Sequence, residues 1–223
     1  LLASSAASDV YKRQILYYAA KKNDSKSGIM ITGSHNPKDD NGIKMVINNK
    51  PVSGTEILSL TKSTLSFNEI KEDIIKLDII ENYIDDVMSK ITLDRPGDLK
   101  IVIDCGNGAA GCVAPELFKR LGCNVINLFT EIDGNFPNHH PDPGKLENLK
   151  DLIESVKKEN ADLGLAFDGD GDRLGLVTEK GNVIFPDKIL MLFAKDVLAK
   201  NAGGKIIFDV KCTNSLGEII KVN

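Results

Sequence analysis

From Lys100 onward the chain alternates short apolar runs with segments of helical period, and this restricts the fold more than any other feature. KIVIDC (100–105), VINLF (125–129) and LGLAF (163–167) are too short and too uniformly apolar for surface strands with one wet face. Between them, APELFKRLG (114–122) and LENLKDLIESVKKEN (146–160) carry helical periodicity. Strands buried on both faces need helices on both sides, so the class is α/β, with consecutive mixed, mainly parallel sheets flanked by helices. RLGLVTEKGNVIF (173–185) predicts a hairpin turning at Lys180-Gly181, and DKILMLFAKDVLAK (187–200) predicts a helix. KIIFDV (205–210) predicts the strand of one more unit, and GEIIKVN reads as a helix that breaks off without a stop signal. Nearer the start, ILYYAAKK (15–22), Thr55 to about Leu65 and ENYIDDVMSKI (81–91) read as helices, and GIMIT (28–32) and IKMVI (43–47) as strands.

A net charge of -4 and the absence of Trp argue against a nucleic-acid partner, which calls for a basic face or stacking aromatics. No apolar run approaches the roughly 20 residues that span a bilayer, so no membrane partner is expected. The four cysteines, at 105, 112, 123 and 212, form no C-x-x-C pair, and reduced thiols in a cytoplasmic protein are expected. Residues 1–14 contain SSAASDVYKRQ, which resembles a translated sequencing-adapter tail, so natural sequence is expected to begin near Ile15.

The sharpest chemical signal is DGDGDR, Asp168 to Arg173. Asp168, Asp170 and Asp172 follow a buried strand at alternate positions, with glycines that let the turn fold all three carboxylates toward one point. Hard oxygen ligands on a turn suit Mg²⁺ or Ca²⁺, and three crowded anions repel unless a cation joins them. An EF-hand loop would also place Asp at its first, third and fifth positions. Its sixth position requires glycine, however, and here holds Arg173 between strand-like flanks. A solvated acidic turn is the bland alternative.

TGSHNP, Thr32 to Pro37, sets Ser34 and His35 on a tight turn at a strand end, where a nucleophile can be displayed. The same residues also make ordinary turns. Lys44, ten residues past Ser34, can serve as a phosphate-binding charge, a proton carrier or a plain exposed strand lysine. CGNGAAG holds Gly106, Gly108 and Gly111 in the G-x-G-x-x-G spacing, with Glu131 about 20 residues beyond the last of these glycines. An NAD-dependent α/β oxidoreductase is therefore an alternative. His139, His140 and Asp142 in FPNHHPDPGK could be drawn to a metal, but adjacent histidines in a Pro-rich loop fit a structured polar loop better.

TGSHNP followed by NGIK, with DGDGDR about 130 residues later, resembles the α-D-phosphohexomutase superfamily, in particular its bacterial phosphomannomutase/phosphoglucomutase branch. The similarity runs on through DCGNGAAG, DGNFPNHHPDPGK, FPDKILMLFAKDVL and IFDVKCT. The resemblance implies an isomerase that interconverts hexose 6-phosphate and hexose 1-phosphate through a phosphoserine and a hexose 1,6-bisphosphate. Ser34 would carry the phosphoryl group, with His35 and Lys44 as catalytic partners and Arg173 and Lys188 binding substrate. One Mg²⁺ would be held by Asp168, Asp170, Asp172 and an oxygen on Ser34. Lys188 stands where the family often has arginine, which keeps the charge but loses the fork.

The resemblance also implies part of a first domain over 15–80, a second over 81–182 and the start of a third over 183–223. The family's sugar-recognition and C-terminal phosphate loops lie beyond residue 223, so the chain as written is expected to be inactive. A phosphoglucosamine mutase is a neighbouring alternative. A cytoplasmic monomer acting on hexose phosphates completes the expectation.

Overall fold

The computed structural model describes residues 12–32, 42–60, 62, 75–91, 93 and 96–222. Two sheets organise them. The first is antiparallel, with β1 (Gly28–Thr32), β2 (Gly42–Ile47) and β3 (Lys50–Pro51) in that order. Asn48 and Asn49 turn β2 into β3 with φ of 50° and 60°. Two successive left-handed residues match the twist of a tight hairpin, and asparagine tolerates that region better than most residues. Helix α1 (Lys12–Lys22) covers one face, where Leu16 and Ala20 pack on Met30 and Val46. The helix expected from Thr55 is α2 (Gly54–Leu60), and α3 (Ile80–Met88) follows.

The second sheet has the order β5-β4-β6-β7-β8, from β4 (Lys100–Asp104), β5 (Asn124–Leu128), β6 (Leu163–Phe167), β7 (Leu174–Thr178) and β8 (Val183–Ile184). Its parallel part is confined to β5-β4-β6, and the β6-β7 and β7-β8 pairs are antiparallel. The reason lies in the connections. A parallel partner needs a crossover of a dozen or more residues, and Asp168–Arg173 is far too short for one. The sheet is thus mixed, and the hairpin at Lys180-Gly181 forms as expected.

Strand β4 shows why helices cover both faces. Ile101, Ile103 and Cys105 point into a core with Ala110, Ala114 and Leu165, on the side of α4 (Ala114–Arg120). Val102, between them, points the other way into a core with Leu149, which precedes α5 (Lys150–Glu159), and with Leu152 and Val156 of that helix. All these residues are buried, so the period-2 alternation of a strand feeds two cores rather than one core and solvent. Helix α5 ends on Asn160, whose left-handed φ of 50° returns the chain to β6.

Helices α6 (Pro186–Lys200) and α7 (Asn214–Val222) pack together beyond the second sheet. The strand expected over 205–210 does not form. Ile207 and Val210 are almost wholly exposed, and a lone apolar run with no neighbouring strand cannot satisfy its backbone as a strand. Among the described residues, no helix is long and apolar enough to cross a membrane.

Candidate phosphate and metal site

The acidic turn is the loop of the β6–β7 hairpin. Phe167 and Leu174 close its base as a register pair. Asp168 organises the turn itself. Its carbonyl accepts the Gly171 N–H at 2.9 Å and its Oδ1 accepts the Arg173 N–H at 3.0 Å. One oxygen from each of Asp168, Asp170 and Asp172 lies within 4.8 Å of the others. Asp168 and Asp170 are buried, and Asp172 is exposed at the rim.

The charge balance of this turn is poor. Asp168 Oδ2 is buried and accepts no hydrogen bond, with Arg173 Nε 3.8 Å away. Burial, together with the neighbouring Asp170 and Asp172, pushes the Asp168 carboxyl up to about 7, against the lowering effect of the Arg173 N–H. A buried carboxylate oxygen without a donor, facing two further carboxylates, is what a hard cation would complete. The donor set is all oxygen, which fits Mg²⁺ and does not fit a soft thiophilic metal. The flanks are strands, so an EF-hand is excluded.

Lys44 reaches this turn from the other sheet. Its Nζ donates to Asp170 Oδ2 at 3.0 Å across 126 residues of sequence. Lys44 stands opposite Met30 on β2, and the hairpin's other end pairs Thr32 with Gly42. The described ends of the connection, Thr32 and Gly42, lie two register positions from Lys44, and Ser34 and His35 themselves lie outside the described residues. Arg173 Nη1 is 3.9 Å from Asp142 Oδ1, and both residues line a cavity of about 440 Å³ with Asp172, Pro186, Ile189 and Phe193. Lys188 lines a separate hollow between α6 and α7 with Met191 and Thr213. Lys44, the three aspartates and Arg173 are thus brought together, whereas Lys188 lines a different hollow from the one that Asp172 and Arg173 line.

The glycine-rich turn after β4 has a different use from the one a dinucleotide site requires. In such a site the second glycine leaves its backbone open to a pyrophosphate. Here a Cβ on Gly108 would fall 2.9 Å from the Gly169 carbonyl oxygen and 3.1 Å from Gly169 Cα. The turn is packed against the acidic loop, and nothing favours the oxidoreductase alternative.

One pair escaped the sequence reading. Asp104, wholly buried at the end of β4, faces His139 Nε2 at 3.0 and 3.2 Å. His139 Nδ1 lies 3.1 Å from the His140 carbonyl oxygen, so both ring nitrogens face acceptors. The hydrogen bond to Asp104 raises the His139 pKa above its usual value, against a lowering by burial, with Asp151 contributing at longer range. A raised histidine pKa stabilises the fold fully below about 6.5 and loses that contribution as pH climbs through the folded value. An NMR titration of His139 should therefore show a midpoint above 6.5, and Asp104→Asn should lower it. A midpoint at or below 6.5 in the unsubstituted chain would contradict the ion pair.

Fold and site together define an α/β protein whose hairpin turn gathers three carboxylates and is approached by a lysine from a neighbouring hairpin. Two family models match the chain. They are the phosphoglucomutase/phosphomannomutase alpha/beta/alpha domain I, over residues 7–66, and domain II, over residues 81–181. A phosphomannomutase/phosphoglucomutase of Pseudomonas syringae pv. tomato is 56% identical over 207 residues, covering 92% of this chain and 44% of that protein. A phosphoglucomutase of Neisseria gonorrhoeae is 49% identical over 211 residues, covering 93% of this chain and 45% of that protein. A crystal structure of a phosphoglucomutase/phosphomannomutase family protein from Burkholderia thailandensis superposes with a TM-score of 0.79 at 48% identity, covering 88% of this chain and 43% of that one.

The chain belongs to the phosphoglucomutase/phosphomannomutase family. It spans less than half the length of these relatives.

Proposed function

We propose that the chain carries the phosphoryl-donor loop and the cation turn of a Mg²⁺-dependent phosphohexomutase, an isomerase of hexose phosphates. The observation that supports this best is the 3.0 Å contact of Lys44 Nζ with Asp170 Oδ2, which ties the hairpin bearing Ser34 to the acidic turn. The names of the relatives point to mannose and glucose phosphates as substrates. In this reading residues 15–80 belong to a first domain, 81–182 to a second and 183–223 to a third.

Ser34 Oγ holds the phosphoryl group. A free hydroxyl of the hexose monophosphate forms the new O–P bond as the Ser34 Oγ–P bond breaks, and its proton passes to a base. Ser34 Oγ regains a proton as it departs, Lys44 is the candidate general acid/base for these transfers, and His35 orients the reacting groups. The hexose 1,6-bisphosphate so formed turns over and returns its other phosphoryl group to Ser34, so no net hydrolysis occurs and water must be kept out. Asp168, Asp170 and Asp172 would hold Mg²⁺, which when bound neutralises charge on the phosphoryl oxygens. Arg173, half exposed beside the turn, offers a forked donor to a substrate phosphate, and Lys188 a second charge further off. Phosphorylated sugars are retained by membranes, so the protein is taken as cytoplasmic, and by resemblance as a monomer.

A chimera tests the proposal. This chain replaces the aligned 207 residues of the Pseudomonas syringae relative, and turnover of glucose 1-phosphate and mannose 1-phosphate is measured. Turnover is expected, with loss of at least about 10³-fold in Ser34→Ala, since a covalent carrier has no substitute. Comparable turnover in Ser34→Ala would rule out the phosphoserine.

A further inference from the structure

The Asp104–His139 pair lies outside the reacting groups, yet it is joined to the acidic turn through a short path. Asp104 closes β4 with Oδ1 accepting the Gly106 N–H at 2.8 Å, and its carboxylate holds His139. The ring of His139 meets Phe129 edge-on at 5.4 Å between centroids. On the side before His139, Asn138 Nδ2 donates to Asn107 Oδ1 at 2.7 Å. On the side after it, the buried Pro141 turns its carbonyl to the Gly169 N–H at 3.1 Å. Gly169 sits between Asp168 and Asp170. Asp142 then faces Arg173, and its carbonyl accepts Asn148 Nδ2 at 3.0 Å.

Residues 138–142 thus form a strut with one foot on the end of β4 and the other on the acidic turn. The strut's grip on β4 is the buried carboxylate–imidazole contact. Its grip on the turn is a backbone hydrogen bond beside the oxygen of Asp168 that is buried without a hydrogen-bond donor. Groups that fix the orientation of ligands without touching the ion are worth about 10- to 100-fold in affinity when removed.

We infer that Asp104 and His139 are positioning residues for the acidic turn, holding its carboxylates in the arrangement that takes a divalent cation. The inference rests on the cation reading of Asp168, Asp170 and Asp172 given above. The pair reaches the turn through the backbone of Pro141 and Gly169.

The test uses the 223-residue chain, with Mn²⁺ as the probe and free Mn²⁺ read by electron paramagnetic resonance. Circular dichroism on each variant checks the fold. His139→Ala should weaken Mn²⁺ binding about tenfold or more, and Asp104→Asn should do likewise. His139→Gln, whose carboxamide N–H can reach Asp104, should recover most of the loss, a rescue that a general loss of stability would not give. The double variant His139→Ala/Asp104→Asn should bind no more weakly than either single one, because both cut the same link.

Folded His139→Ala with unchanged Mn²⁺ affinity would overturn the inference. So would His139→Gln as weak as His139→Ala. Should His139→Ala fail to fold, Asp104→Asn decides by the same criterion. An unsubstituted chain that binds no Mn²⁺ would overturn the cation reading and this inference with it. Binding in the unsubstituted chain with no change in the variants would overturn this inference alone.

Discussion

Asp168→Asn should make the metal-free chain more stable while lowering its affinity for Mg²⁺ by about 100-fold or more. The two signs have one cause. Asp168 is wholly buried, its Oδ2 accepts no hydrogen bond, and two other carboxylates stand close by. A charge so placed is tolerated only if a cation joins it. Asparagine keeps the oxygen that accepts the Arg173 N–H and puts an amide N–H where the unsatisfied oxygen was, facing its acidic neighbours.

The pH dependence follows from the raised carboxyl. The unfolded chain ionises Asp168 near 3.8, and the folded, metal-free chain only at about 7. Folding therefore takes up a proton between these values, and the metal-free stability contributed by this group falls as pH rises through that window. In chelator at pH 7.5 the melting temperature of Asp168→Asn should exceed that of the unsubstituted chain by about 5 °C, the scale expected for a gain of one to two kcal/mol in a protein of this size. Below pH 4 the difference should close. Added Mg²⁺ should raise the melting temperature of the unsubstituted chain and leave Asp168→Asn unmoved. A variant that melts lower than the unsubstituted chain in chelator, at every pH, would show that the turn is not poised for a cation.

Gly111→Ala should be among the most destabilising single-methyl additions in the chain. A Cβ at this position would lie 2.0 Å from the backbone oxygen of Thr130 and 2.9 Å from its carbonyl carbon. Flexible side chains can swing away from a new methyl, but backbone at the end of a sheet strand can move only by disturbing its hydrogen bonds. Here those include Asn107 N to Phe129 O at 2.7 Å and Asn107 Nδ2 to Glu131 O at 2.8 Å. Overpacking of this kind costs about 3 kcal/mol or more, which lowers the melting temperature by roughly 6–12 °C. Gly134→Ala is the control, since nothing lies within 4 Å of its added Cβ. Equal melting temperatures for the two variants, measured by calorimetry, would contradict the packing of the glycine turn against the loop after β5.

The central strands were readable because their chemistry is local. Ile101, Val102 and Ile103 are apolar at successive positions, and only a strand buried on both faces makes use of that. The acidic turn was equally readable, since Asp168, Asp170 and Asp172 carry their spacing in the sequence and Phe167 and Leu174 fix its base. Ile207 and Val210 misled because an apolar β-branched run becomes a strand only when a partner strand is present. The direction of β7 follows from the short Asp168–Arg173 connection rather than from any periodicity. The pairing of Asp104 with His139 spans 35 residues, and that of Lys44 with Asp170 spans 126. Neither leaves a mark on local pattern. An aspartate closing a buried strand is nevertheless a polar group that must find a partner, and His139 in its Pro-rich loop was the imidazole available.

Peptide mapping of Ser34 in the chimera with the Pseudomonas syringae relative, after exposure to glucose 1,6-bisphosphate and Mg²⁺, reads the phosphoryl carrier itself. One phosphate is expected on the Ser34 peptide, discharged by mannose 6-phosphate or glucose 6-phosphate and restored by fresh bisphosphate. A Ser34 peptide that stays unmodified throughout, in a chimera that still binds Mn²⁺, would leave a cation site without a phosphoryl carrier and contradict the proposed function.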